Sequence, residues 1–138
     1  MMKLHRLSIL LALITSGTAS SAGVPSPRMS RIDAQQIMLR YLQDARLAQR
    51  PGFALDSFDS PTSPTFYFFE AIYANPGPGS AMLGSWAVDS RTGDIWSATT
   101  CEEKTSPGTH ALQMQIRARL QITAVRYRQL RRGGPMCV

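Results

Sequence analysis

Three sets of residues have types and spacings that could do chemistry. Cys101 lies nine positions before His110, and a thiolate with a nearby imidazole is the pairing that cysteine hydrolases use. Glu102 and Glu103, with Glu70 or Asp94 as a second carboxylate, supply the residue types of a glycosidase acid and base. Asp89 and Asp94 flank the turn in "SWAVDSRTGDIWSATTC" and offer oxygens to a cation.

Each set has a plainer reading, and the plainer one is adopted. A calcium site needs six to eight oxygens, and this short loop supplies few, so no metal and no cofactor are expected. Asp89 reads as the opening of a hairpin turn whose carboxylate accepts backbone N–H groups, and Gly93 reads as its left-handed residue. Adjacent glutamates in a polar loop are ordinarily solvated. His110 falls in the first turn of a helix. His5 lies in the segment expected to be removed, so one histidine is left for a triad or a histidine-based metal site.

The compartment decides the cysteines. "MMKLHRLSILLALITSGTASSAG" carries Lys3 and Arg6, an apolar run from Leu7 to Ile14, and small residues that place cleavage after Ala22. That is the layout of a secretory signal peptide, with an apolar run too short to span a bilayer. An exported chain, periplasmic or secreted, is therefore expected, with 1–22 as signal, 23–29 as a flexible leader and 30–138 as one domain. In an oxidising compartment Cys101 and Cys137 read as one intramolecular disulfide.

The chain has 138 residues with 15 Lys and Arg against 9 Asp and Glu. The surplus gathers near the C-terminus in Arg117, Arg119, Arg126, Arg128, Arg131 and Arg132. Outside the cytoplasm, and with no reader motif, such a surplus points to an acidic protein or polymer rather than nucleic acid.

The elements that must position these residues follow from pattern. Asp33 is a candidate N-cap with Gln36 three residues on, and Ile32 and Ile37 a candidate staple. The apolar positions Ile37, Met38, Tyr41, Leu42, Ala45 and Ala48 carry the first helix toward Pro51. "TFYFFEAIY", residues Thr65 to Tyr73, is the strongest strand, "NPGPGS" a turn, and strands over 81–88 and 94–100 flank "DSRTG". A second helix is expected from Thr109 unbroken to Arg132, with Leu112, Ile116, Leu120, Thr123, Ala124 and Tyr127 facing the sheet. The expected fold is thus α+β, a three- to four-stranded antiparallel meander packed against two helices.

The run Ile32, Asp33, Ala34, then Phe66 to Ile72, then Val88, Asp89, Thr92, Gly93 and Ile95 resembles the PepSY-like domains of exported bacterial proteins over about residues 32–100. That resemblance implies inhibitors or regulators of peptidases, or cell-envelope modules, and no catalytic residues. Size, export and the missing catalytic set also fit immunity proteins that neutralise cell-wall hydrolases. The functional expectation is a non-catalytic periplasmic binding protein, an inhibitor or immunity type acting on an envelope hydrolase or peptidase. The alternatives are a structural or ligand-binding envelope module and a small hydrolase using Cys101 and His110. The expected partner contacts are the turns at Asn75, Gly77 and Gly79 and at Ser90, Arg91 and Thr92, with Arg119 and Arg126 on the basic helix. Self-association through the two-sided aromatic strand is a further possibility.

Overall fold

The computed structural model describes residues 27–74 and 81–131. The expected signal peptide, Asn75, Gly77, Gly79 and Cys137 lie outside the described residues. Helix α1 spans Arg31–Asp44, and strands β1 Ala54–Phe58, β2 Phe66–Ile72, β3 Met82–Asp89, β4 Ile95–Ser97 and β5 Glu103–Lys104 follow. Helices α2 Pro107–Arg119 and α3 Ala124–Arg131 complete the described chain. The strands form one antiparallel sheet in the order β1-β2-β3-β4-β5. The α+β meander is therefore as expected, with five strands and three helices among the described residues in place of three or four and two.

Helix α1 begins earlier than expected. Ser30, not Asp33, is its N-cap: the Ser30 hydroxyl accepts from the Asp33 N–H, and the Asp33 carboxylate accepts from the Ser30 N–H. This reciprocal pair satisfies two helix-end groups that Asp33 alone would not. Ile32 is 69% exposed and staples nothing. Met29, just before the cap, is buried beside Ala34 in the core cluster and donates its N–H to the Ser90 carbonyl. The last residues of the expected leader are thus part of the domain.

The helix also ends early, at Asp44, because Arg46 takes a left-handed conformation with φ 59°. The Leu47 N–H reaches the Leu42 carbonyl and the Arg46 N–H the Gln43 carbonyl, the two bonds of a Schellman ending. The same ending recurs at α2, where Gln121 has φ 55°, Ile122 N–H bonds Arg117 O and Gln121 N–H bonds Ala118 O. Thr123 then starts α3, its hydroxyl accepting from the Arg126 N–H. The expected single helix over 109–132 is accordingly two helices. Non-glycine residues fill both left-handed positions, so composition carries no stop signal there.

Alternation along the strands sorts the sheet into two faces. Phe69, Ala71, Trp86, Val88 and Ile95 face Ala34, Ile37, Met38 and Leu42 of α1 and Ile116 of α2. Register supports this core, with Phe69 opposite Trp86 and Val88 opposite Ile95. The Trp86 ring lies back over Gly84, where a Cβ would come within 2.6 Å of it, and meets the Tyr41 ring edge-on at 6.2 Å. On the other face Phe58, Phe68, Ala87 and Trp96 stand in one cross-strand row, with Phe58 and Phe68 stacked at 5.6 Å. Glu70 belongs to that face, half-buried and opposite Asp56 and Ser85.

Asp33 also pairs with Arg119 of α2 at 2.7 Å. The Arg119 and Ser30 hydrogen bonds hold its carboxyl below the usual aspartate value, against a smaller opposing effect of burial. A lowered folded value means stability present above the unfolded value and lost as pH falls through the folded one. Asp33→Asn should therefore lower stability by about 1 kcal/mol at pH 7. The difference should vanish once acid has protonated Asp33. Denaturant melts of both proteins at the two pH values check this, and a deficit independent of pH would contradict the capping account.

Candidate functional site

The β3–β4 turn is built as its sequence implied. The Asp89 carbonyl accepts from the Thr92 and Gly93 N–H groups, Asp89 Oδ1 accepts from the Arg91 N–H at 2.8 Å, and Gly93 has φ 76°. The Arg91 guanidinium grips the same carboxylate through Nε at 2.9 Å and Nη2 at 2.7 Å. That side-chain contact raises the Arg91 pKa, against the lowering effect of burial.

The turn is not an exposed probe, however. Ser90 and Thr92 are buried, which corrects their expected place on an open partner-binding loop. The Ser90 N–H and hydroxyl both donate to the Thr65 carbonyl, while α2 covers the rest. Gln113 Nε2 donates to the Gly93 carbonyl at 2.7 Å, and Arg117 Nε donates to the Thr92 carbonyl at 2.7 Å. A buried turn must have its carbonyls satisfied, and these long side chains supply donors from the next element.

Asp94 stands at the centre of this cover. Its Oδ1 accepts from Arg117 Nη2 at 2.6 Å and from the Tyr127 hydroxyl at 3.0 Å, and its Oδ2 accepts from the Thr92 hydroxyl at 2.9 Å. The Arg117 guanidinium also lies 4.0 Å from the Tyr127 ring centroid, a cation–π contact joining α2 to α3. Burial raises the Asp94 pKa, opposed by Arg117, Thr92 and Tyr127. Burial and the neighbouring Asp94 likewise raise that of Tyr127.

Beside this cluster, α2, α3 and β5 enclose a cleft of about 620 Å³. Met114, Ala118, Ile122 and Ala124 give it apolar walls, and Glu103, His110 and Arg131 give it polar edges. Arg131 is ion-paired with Glu103 and lies 5.8 Å from the Tyr127 ring centroid. No residue of α3 is buried, so polar contacts from Tyr127 and Arg131 hold it over the cleft. A smaller groove of about 260 Å³ runs between α1 and α2 past Asp33 and Arg119.

The expected reactive residues have other engagements. No described cysteine is free, and Cys101 takes a left-handed conformation with φ 57°. Glu102 is ion-paired with Lys104, which lowers its pKa, and Glu103 with Arg131. Among the described residues no group of three His, Cys, Asp or Glu is placed to hold a metal. Arg119 and Arg126 sit on separate helices, α2 and α3, and not on the single basic helix expected. Sequence reasoning missed the Asp94, Gln113, Arg117 and Tyr127 cluster. Its one signal was an arginine one position from Ile116 on the apolar side of a helix.

No family model and no curated protein sequence matches the chain. Among solved structures it is similar to a chain in a type VI secretion system effector-immunity complex from Pseudomonas protegens. The TM-score is 0.64 at 24% identity, covering 80% of this chain and 91% of that one. At that identity the likeness concerns the fold. No helix among the described residues is long and apolar enough to cross a membrane.

Proposed function

We propose that this protein is an exported, non-catalytic immunity protein that binds and neutralises a hydrolase acting on the cell envelope. The observation that carries this reading is the fold shared with nearly the whole of one chain of an effector-immunity complex. Two features support it. The amino-terminal segment has the layout of a signal peptide, which sends the chain to where an envelope hydrolase acts. The polar cluster spends its groups on one another, with no buried side-chain nitrogen or oxygen unsatisfied among the described residues, as suits a rigid binding scaffold. In this reading Cys101 is bridged to Cys137, and Asn75, Gly77 and Gly79 with the helical arginines are surfaces for a partner. The peptidase-regulator role implied by the PepSY resemblance meets the same test.

The test is a pull-down from envelope extract with the mature, oxidised protein as bait, followed by purification of any hydrolase it retains. A one-to-one complex in which hydrolysis of purified peptidoglycan stops is the expected result. A hydrolase that stays fully active when saturated with the protein would reject the reading.

A further inference from the structure

Helices α2 and α3 together carry five arginines and no acidic residue. The carboxylates that meet them, Asp33, Asp94 and Glu103, come from other elements and pair with Arg119, Arg117 and Arg131. Arg128 of α3 is exposed and takes part in none of these three pairs. Apolar surface accompanies it: Met114 on the cleft wall is 54% exposed and Val125 on α3 is 57% exposed. An open cavity walled by Met114, Ala118 and Ala124 and edged by Arg131 presents apolar contact in its depth and positive charge at its margin.

Resting on the immunity reading, we infer that the cleft between α2 and α3 is the docking surface for the hydrolase, and that it receives an acidic segment bearing an apolar side chain. The apolar group fills the space beside Met114 and Ala118. The segment's carboxylates lie along the exposed α3 arginines, where opposite charge speeds encounter and rejects partners of like charge. Arg131 changes partner on docking, because an incoming carboxylate competes with Glu103 for one guanidinium. The absence of buried residues in α3 makes this adjustment inexpensive, since the helix shifts without opening a core.

The experiment measures the dissociation constant of the purified hydrolase for the full oxidised protein and three variants. Ala118→Trp fills the cleft, Arg128→Glu reverses charge on α3, and Asp56→Lys reverses charge on the far sheet face. All three positions are exposed, so each variant is expected to keep its fold, and circular dichroism verifies that. The expected result is affinity weakened at least tenfold by Ala118→Trp and by Arg128→Glu, the latter with a flatter salt dependence, and unchanged by Asp56→Lys. Equal affinity across all four proteins overturns the docking surface while leaving the immunity reading intact. A wild-type protein that binds no envelope hydrolase overturns both.

Discussion

Arg117→Ala should cost about 3–5 kcal/mol at pH 7, because it strands a buried carboxylate. Asp94 keeps the Thr92 and Tyr127 hydroxyls but loses the 2.6 Å ion pair, and the buried Thr92 carbonyl loses its Nε donor. For a domain of this size such a loss lowers Tm by on the order of 15 °C. Its pH dependence identifies the cause. Burial already raises the Asp94 pKa, and Arg117 is the largest influence opposing that rise. Without Arg117 the folded value climbs further, the folded state takes up a proton more readily than the unfolded chain, and stability recovers as pH falls toward the unfolded value. The variant's deficit should thus be largest at neutral pH and shrink on acidification, because the variant gains stability there, whereas the Asp33→Asn deficit shrinks because the wild type loses it. Arg117→Lys should recover little, since one ammonium cannot serve both the Thr92 carbonyl and the carboxylate as the planar fork does. The double variant Asp94→Asn with Arg117→Met should regain much of the loss, because it removes the stranded charge as well as its partner. Thermal melts at pH 7 and pH 5 decide the matter, and an Arg117→Ala protein within 1 kcal/mol of wild type at pH 7 would refute a structural role for the pair.

Phe69→Ala should cost a similar amount, about 3–5 kcal/mol, by a different route. Phe69 is fully buried, opposite Trp86 in the sheet and in one cluster with Ile37, Met38 and Leu42. Truncation loses its transfer energy and leaves a cavity that helix and sheet close only in part. No titrating group is involved, so the deficit should be the same at pH 7 and pH 5. Its neighbour supplies the control. Phe68 points to the opposite face, is half-buried and stacks on Phe58, so Phe68→Ala should cost only about 1 kcal/mol. Urea unfolding midpoints of the pair therefore report which face of the aromatic strand the helices cover. Equal losses at the two positions would mean that both faces are packed as core.

Much of this arrangement was legible in the residues, and the rest was hidden for physical reasons. The strand at Phe66–Ile72 and the hairpin closed by Gly93 announce themselves through side-chain class and one required left-handed glycine. The helix ends do not, since Arg46 and Gln121 occupy left-handed positions that composition assigns to glycine. Strand β5 has two residues, too few for alternation to register. The burial of the β3–β4 turn escaped notice for a deeper reason. Asp89, Ser90, Thr92 and Asp94 are ordinary turn residues locally, and their removal from water depends on Gln113 and Arg117, which lie far along the chain. Local pattern identified the turn, and only the docking of α2 reveals that it is roofed.

The meander order of the sheet bears on how the molecule assembles. Every strand pairs with its neighbour in sequence, so each step closes a short loop and little chain entropy is spent before contacts reward it. Low contact order of this kind favours fast folding. The bond from the Met29 N–H to the Ser90 carbonyl stands apart, joining the start of the domain to the β3–β4 turn. The sheet can therefore zip from hairpin to hairpin, and the amino-terminal segment is the piece best placed to arrive late and complete the cover of that turn.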